Sequence, residues 1–255
     1  MNSRYGISLV AFVGLLFIAS AKAAFHVFQP PAAFDTLNGN SSFNLFGTPA
    51  PEYGRFQQVY SGSSLSLAIP TGVVKITELD FRVDAIVGFP FDVTIQNLQL
   101  NLSTTQRPPD GLSTIFDDNT GPDDKAVFGP GSRRVQGVGG GGDTSFNVVF
   151  DFQDNPFYYN PADGNLLLDF RIFADPEFVA PLDAFSVIGD SVSSVSAYGS
   201  SPPSSGSASS LGLATAFSVT NVPEPSTWTL SVLGIAFFSL WHWKKLNRRK
   251  RHVPH

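Results

Sequence analysis

An acidic turn holds the densest set of potential ligands in the sequence. It runs from residue 117 to residue 124, and its candidate ligands are Asp117, Asp118, Asn119, Asp123 and Asp124. Calcium binds six to eight oxygen atoms, and carboxylate and amide oxygens are among those it prefers. The spacing departs from an EF-hand loop, because the third oxygen position and the terminal Glu are missing. Two interpretations stay open: a calcium site, which would be the chain's only cofactor, and a solvated acidic turn.

A second group of residues could bind sugars. Phe157, Tyr158 and Tyr159 are followed by Asn160 and Asp163. Aromatic rings stack on sugar rings, and neighbouring polar side chains bind the hydroxyl groups. The alternative is that two of these aromatic side chains cap a hydrophobic core.

Residues suited to catalysis are sparse. Between residues 24 and 222 there is one histidine, His26, and no G-x-S-x-G motif, which disfavours both a serine hydrolase and metal-dependent hydrolysis. A glycoside hydrolase needs two carboxyl groups facing each other in a cleft. Most of the available carboxylates alternate with apolar residues and are predicted to lie on exposed strand faces; the candidates are Asp80, Asp84, Asp151, Asp169 and Glu177. We therefore expect a protein that is not an enzyme.

The glycines of residues 137–142 match the dinucleotide-binding pattern G-x-G-x-x-G. That motif works only between a strand and the start of a helix. The following segment has the alternation of a strand, so the sequence predicts a hairpin loop.

Charge divides the chain into an acidic middle and a basic end. Residues 24–222 contain 20 acidic and 8 basic side chains, whereas residues 223–255 contain six basic side chains and only Glu224 as an acid. An acidic domain repels phosphate backbones, which argues against nucleic acid as a partner. The chain contains no cysteine, so disulfides and thiolate chemistry are excluded.

Both ends of the sequence carry apolar segments with directional signals. Residues 1–23 have a positive start at Arg4, an apolar stretch and the small-x-small pattern Ala21-Lys22-Ala23, which predicts a signal peptide cleaved after Ala23. Residues 227–243 are apolar and would span roughly 25 Å as a helix, near the lower limit for crossing a bilayer core. A basic tail, 244–255, follows directly, and the residues expected to stop transfer are Lys244, Lys245, Arg248 and Arg249. Positive charge stays on the cytoplasmic side, so residues 24–222 are expected outside.

A proline-rich motif precedes the second apolar segment. Its residues are Val222, Pro223, Glu224, Pro225 and Ser226. Two prolines around a glutamate disfavour helix and sheet, so the motif is predicted to be extended and accessible to a protease. The order of motif, short apolar helix and basic cluster resembles the PEP-CTERM sorting signal of bacterial exopolysaccharide-associated proteins. The tail after Asn247 is somewhat longer than is typical of that family.

This resemblance implies a processing partner. An exosortase-type membrane enzyme would recognise Pro223-Glu224-Pro225, remove the tail and release the protein to the envelope surface or the medium, after an inner-membrane intermediate. The alternative is a permanent single-span anchor. The segments FRVDA, LQLNLSTTQRPPDGLSTIF and FYYNPADGNLLLDFR also resemble an uncharacterised domain of other PEP-CTERM proteins, which implies a shared fold and no activity.

The residues between the two ends alternate with the period of strands. Leu65, Leu67 and Ile69 share one predicted face, and similar patterns occur at 146–152, 166–172 and 213–219. At 74–83 and 91–102 the alternation changes phase, which predicts bulged or bent strands. Gly, Pro, Asn and Asp mark turns at 107–111, 154–156 and 160–165.

These patterns predict an all-β fold: a single antiparallel β-sandwich or jelly roll over residues 24–220, with a low-complexity loop at 191–210 and the sorting signal at 221–255. The expected function is an exported cell-surface or matrix protein with a structural or adhesive role in the exopolysaccharide layer, which is a possible partner. The alternatives are a carbohydrate-binding module and a secreted glycoside hydrolase.

Overall fold

The structure, a computed structural model, describes residues 24–30, 38–46, 53–69, 72–86, 90–138, 145–173, 181–222 and 234–242. The predicted signal peptide, Glu177, Pro223–Ser226 and the basic tail lie outside these residues. The described residues form fourteen strands, one short α-helix, a 3-10 helix at Phe116–Asn119 and a helical segment at 234–242. In chain order the strands and the short α-helix are β1 (Phe25–Gln29), β2 (Ser41–Phe43), β3 (Tyr53–Tyr60), α1 (Gly62–Ala68), β4 (Val74–Arg82), β5 (Pro90–Thr105), β6 (Lys125–Val138), β7 (Phe146–Asp151), β8 (Phe157–Tyr159), β9 (Asn165–Ile172), β10 (Leu182–Ser186), β11 (Val192–Gly199), β12 (Ser207–Ser209), β13 (Leu211–Leu213) and β14 (Thr215–Asn221).

The strands form three antiparallel sheets. The front sheet has the order β1-β14-β4-β7, with β8 also pairing with β4. The back sheet has the order β12-β11-β3-β9-β5-β6, and the small sheet has the order β13-β10-β2. The prediction of an all-β, antiparallel fold is confirmed.

The front and back sheets share one hydrophobic core in a sandwich-like arrangement. Phe150 of the front sheet and Phe170 of the back sheet are fully buried, and their ring centroids lie 5.3 Å apart. Tyr60 and Phe217 make a similar contact between the sheets, with ring centroids 4.9 Å apart. Edge-to-face aromatic contacts of this kind add to the free energy gained by burying apolar surface.

Bulges explain both predicted changes of phase. Along β4, Glu78 pairs with Ser218 of β14 and Ile76 pairs with Val219 of β14, so Thr77 is the extra residue. The bulge lets Ile76 and Leu79 both point into the core, although they are three residues apart. In β5 the register shifts between Ile95 and Leu98, around Asn97 with a φ of 48°. The prediction of bulged strands is confirmed.

Two of the predicted elements are wrong. Leu65, Leu67 and Ile69 lie in or directly after α1 rather than in a strand. Ser61 caps this helix by accepting a hydrogen bond from the backbone N–H of Ser64, over 3.3 Å. Leu65 and Ile69, four residues apart, are buried on one face, whereas Leu67 is 88% exposed.

The predicted low-complexity loop at 191–210 contains β11 and β12. β11 lies inside the back sheet between β12 and β3, and its Val192 and Val195 are fully buried. Ser193 is also buried, and its Oγ accepts a hydrogen bond from the backbone N–H of Asp110 over 2.7 Å. The serines therefore fill sheet positions where their hydroxyl groups find partners.

A buried ion pair connects the small sheet to the front sheet. The guanidinium group of Arg82, in β4, binds the carboxylate of Asp183, in β10, with an Nε to Oδ2 distance of 2.8 Å. The exposed fractions of the two side chains are 1% and 0%. The other carboxylate oxygen of Asp183 accepts a hydrogen bond from the backbone N–H of Gly39 over 2.8 Å. The pair therefore joins residues about a hundred positions apart.

Candidate functional site

A row of polar side chains crosses four neighbouring strands of the front sheet. His26 pairs with Ser218, Ser218 with Glu78, and Glu78 with Asp151, so one residue comes from each of β1, β14, β4 and β7. The adjacent residues of these strands point into the core, and side chains alternate along a strand. The row therefore lies on the outer face of the sheet.

Ser218 connects two members of this row. Its hydroxyl group donates to Glu78 Oε1 over 2.8 Å, and its Oγ lies 3.3 Å from His26 Nδ1. A hydroxyl group has one proton, so a Ser218 that donates to Glu78 accepts from the Nδ1–H of His26. A serine nucleophile would instead give its proton to the histidine. The contacts hold His26 and Glu78 in place beside each other.

Asp80 lies next to the row and is its most buried carboxyl group. It is two residues from Glu78 on β4 and is only 5% exposed. Burial, together with the nearby charges of Glu78 and Asp151, raises the pKa of Asp80 to about 8. Its Oδ1 atom is buried without a hydrogen-bond partner. Binding a proton or a cation would therefore stabilise the buried carboxyl group of Asp80.

His26, Glu78 and Asp80 come together at one point. Each contributes one potential ligand atom, and these three atoms all lie within 4.8 Å of one another. His26 is exposed, Glu78 is half-buried and Asp80 is buried, so the group opens to solvent at the histidine. Within the described ranges, this is the group of three or more His, Asp and Glu residues that could hold a metal ion.

The sequence-predicted calcium ligands have separate partners. Asp117 Oδ1 accepts from Arg55 over 3.0 Å, Asp118 from Ser113 over 3.1 Å, and Asp123 from the backbone of Thr104 over 2.7 Å, while Asp124 accepts from Asn101 over 2.9 Å. Asn119 is fully buried and bonds to Gln57 and to Ser113. The structure does not bring these carboxylates to one point, and the calcium site stays a prediction.

Two arginines explain why part of this turn is fixed. Arg55 binds both carboxylate oxygens of Asp169, over 3.1 and 2.8 Å, as well as Asp117. Arg171 also binds Asp169, over 2.9 Å, and lies 3.9 Å from Asp124. Arginine side chains on the outer face of the back sheet therefore neutralise part of the negative charge of the acidic turn.

The predicted aromatic platform is divided between core and surface. Phe157 and Tyr159 are 3% and 1% exposed, whereas Tyr158 is 55% exposed. Alternation along β8 sends the first and third rings inward. The interpretation that two of these aromatics pack in the core is confirmed, and only Tyr158 is left to stack on a ligand.

The candidate hydrolase carboxylates are mostly buried, contrary to the prediction of exposed strand faces. Asp80, Asp84 and Asp169 are all at most 5% exposed, and Asp151 is the one exposed carboxylate among the candidates that the structure describes. Asp169 is held by two arginines, and Asp84 Oδ1 accepts from the backbone N–H of Ile86 over 2.9 Å. Glu78 and Asp80 stand side by side on one strand rather than facing each other across a cleft.

The two strands that flank the glycine-rich segment do not pair with each other, as the predicted hairpin would require. Gly137 and Val138 end β6, which pairs with β5 in the back sheet. The next strand, β7, pairs with β4 in the front sheet. The segment between them therefore connects two sheets, and Gly139–Gly142 lie outside the described residues.

Only part of the predicted sorting signal is described. Val222 follows β14 directly, and its backbone N–H donates to the carbonyl oxygen of Val73 over 3.0 Å. Residues 234–242 are helical, with exposed side chains. Among the described helices, none has the length and apolar character needed to span a membrane.

Sequence reasoning missed the cluster around Asp80. In the sequence, His26 is an isolated histidine, and neither Glu78 nor Ser218 belongs to a local motif. The phase change at Thr77 was the available signal, because it places Glu78 beside Ser218.

Comparisons with protein-family models, curated proteins and solved structures found no match.

Proposed function

We propose that this chain is an exported bacterial surface or matrix protein with a β-sandwich domain, processed at its C-terminal side by an exosortase-type membrane enzyme. The proposal rests on the resemblance of residues 222–255 to a PEP-CTERM sorting signal. The apolar segment before the basic cluster is helical at 234–242. A transmembrane intermediate would place residues 24–222 outside the cytoplasm.

The structural observation that supports the proposal is a helical segment whose large apolar side chains are exposed. Five large apolar side chains are between 57% and 74% exposed: Ile235, Phe237, Phe238, Leu240 and Trp241. Soluble surfaces rarely present so many large apolar side chains together. Lipid would cover them, and the following Lys244 and Lys245 would lie among headgroups.

The position of the sorting motif also supports processing. The last strand ends at Asn221, and the backbone N–H of the next residue, Val222, donates a hydrogen bond to the carbonyl oxygen of Val73, just before β4. Pro223, Glu224 and Pro225 begin directly after this bond. A protease acting on the motif would cut next to the sheet and leave its hydrogen bonds intact.

We further propose that the sandwich is of the jelly-roll type, with a structural or adhesive role rather than a catalytic one. The chain crosses from the back sheet to the front sheet and returns between β3, β4 and β5, and again between β6 and β9. Such alternation between two sheets is typical of jelly rolls. The hydrogen bond from Ser218 to Glu78 argues against Ser218 as a serine nucleophile.

The experiment is replacement of Pro223, Glu224 and Pro225 by alanine in a bacterium that carries an exosortase. We expect the parent protein to appear at the surface or in the medium at a mass lacking the tail. The variant should stay in the membrane fraction at the mass that retains the tail. Mass spectrometry of both fractions measures the result.

A matched control replaces Pro202 and Pro203, another proline pair, by alanine. This control should be processed like the parent. Normal processing of the motif variant would refute the proposal.

A further inference from the structure

We propose that His26, Glu78 and Asp80 bind a divalent transition-metal cation, with Zn²⁺ as the ion that fits best, on the outer face of the front sheet. The three ligand atoms already lie within 4.8 Å of one another. Metal–ligand bonds of about 2.0–2.2 Å place the ligand atoms of one zinc ion roughly 3–4 Å apart. Small side-chain rotations would therefore close the site.

The unpartnered oxygen of Asp80 is the strongest independent indication. Asp80 is 5% exposed, and its Oδ1 atom has no hydrogen-bond partner. A buried carboxyl group normally has a hydrogen-bonding or charged partner, because removing it from water is costly. A cation between Asp80, Glu78 and His26 would supply that partner.

The surrounding charge favours a cation. Asp151 lies opposite Glu78 on β7, so three carboxyl groups share this part of the sheet. In the part of the chain that the structure describes, no Lys or Arg forms an ion pair with Glu78, Asp80 or Asp151. The cluster therefore attracts a positive ion from solvent through the exposed side of His26.

Ser218 acts as a positioning residue for two of the ligands. It donates to Glu78 Oε1 and lies within hydrogen-bond distance of His26 Nδ1. Metal-binding histidines commonly donate their second ring N–H to an oxygen, which fixes the ring and leaves the other nitrogen for the metal. Ser218 Oγ lies in the position of such an oxygen, next to both the His26 ring and the Glu78 carboxylate.

The ligand types select the ion. Zinc binds imidazole nitrogen and carboxylate oxygen, and three protein ligands with one water complete a tetrahedron. Calcium requires six to eight oxygen atoms, and magnesium an octahedron of oxygens. A set of one nitrogen and two oxygens from three residues therefore favours zinc.

Binding should stabilise the fold. His26 belongs to β1 and the two carboxylates belong to β4, so the ion would connect two strands across β14. The unfolded chain has no preformed site, and an ion that binds only the folded state raises the melting temperature.

The test measures thermal unfolding and calorimetric binding of the full chain in detergent, with ZnCl₂ added after removal of metals by EDTA. We expect one high-affinity Zn²⁺ per domain and a melting temperature that rises to a plateau. CaCl₂ and MgCl₂ at equal concentrations should produce no shift of the melting temperature that depends on His26. Absence of a zinc-dependent shift, or an equal calcium-dependent shift that His26→Ala abolishes, would overturn the proposal.

Substitutions test which side chains bind the zinc ion. His26→Ala, an exposed change, and Glu78→Gln should abolish the shift, and Ser218→Ala should weaken zinc binding by about 10- to 100-fold. Asp92→Asn removes an exposed carboxylate from the back sheet and serves as the charge-matched control, with unchanged zinc binding. The chain's other histidines are His242, His252 and His255. Zinc binding that persists in His26→Ala would come from them and would also overturn the proposal.

Discussion

At the scale of single residues, Asp80 shows how a position in the sheet changes the chemistry of a side chain. It follows the bulge at Thr77 and shares the outer face with Glu78, yet it is almost fully buried. A carboxyl group without a partner in such a place favours its neutral form. The protonation of Asp80 therefore depends on folding.

This dependence predicts the effect of pH on stability in the metal-free protein. The pKa of Asp80 is about 8 when folded and about 4 when unfolded. Between these values only the folded state holds the proton, so raising the pH should weaken folding by about 1.4 kcal/mol per pH unit. Below pH 4 and above pH 8 this contribution should be constant.

Asp80→Asn should remove that contribution. In EDTA, the variant should be more stable than the parent at pH 8, and the difference should shrink as the pH falls towards 4. Urea unfolding of both proteins across this range measures it. Because the other titrating groups are shared, the difference isolates Asp80. A difference that is independent of pH would contradict the assigned pKa.

At the scale of elements, α1 is where alternation in the sequence is misleading. Leu65, Leu67 and Ile69 fit a strand, but Leu65 and Ile69 fit a helix equally well. Two hydrogen bonds stabilise the helix. The backbone N–H of Ser64 donates to the Ser61 side chain at the start of the helix, and the N–H of Ile69 donates to the carbonyl oxygen of Leu65. A window of seven residues is too short for periodicity to separate the two.

A pair of substitutions in α1 tests this assignment. Leu65→Ala should lower the free energy of unfolding by about 2–5 kcal/mol, because it leaves a cavity in the core. Leu67→Ala should have little effect, since this side chain is 88% exposed. Urea unfolding of the two variants measures both. A strand would place the two leucines on one face, and equal losses would therefore contradict the helix.

The longer strands were predictable because their burial follows the apolar pattern. β9 sends Leu166, Leu168, Phe170 and Ile172 into the main core as the alternation predicts, although Leu167 and Asp169 on its other face are buried as well. β11 was missed because serine is frequent in loops, and only pairing with β3 shows that its serines have partners. Propensity is therefore overridden here by contacts between distant residues.

At the scale of the whole molecule, the interactions that connect the sheets were beyond sequence reasoning. Arg82 and Asp183 are 101 positions apart, and His26 and Ser218 are 192 positions apart. No short sequence pattern shows which residues so far apart in the chain will contact each other. The candidate metal site has the same property, because its residues meet only after β1, β14 and β4 have paired.

The ion pair between Arg82 and Asp183 predicts a large effect on assembly of the sheets. Asp183→Ala should lower the free energy of unfolding by about 3–5 kcal/mol, because it removes a buried carboxylate that binds the buried guanidinium group of Arg82. As a control, Asp92→Ala removes the exposed partner of Arg134 and should change stability little. Urea unfolding distinguishes them. Equal small effects would mean that water reaches Arg82.

The pairing of β1 with β14 has a mechanical consequence. Phe25 lies opposite Val219, so the beginning of the first strand and the end of the last strand leave the same edge of the domain side by side. A force applied between those two points would separate the strands from one end. The hydrogen bonds would then break one after another rather than together, so the resistance to the force would be low. A zinc ion held by His26 and Glu78 would sit near the point where that tearing begins and would resist it.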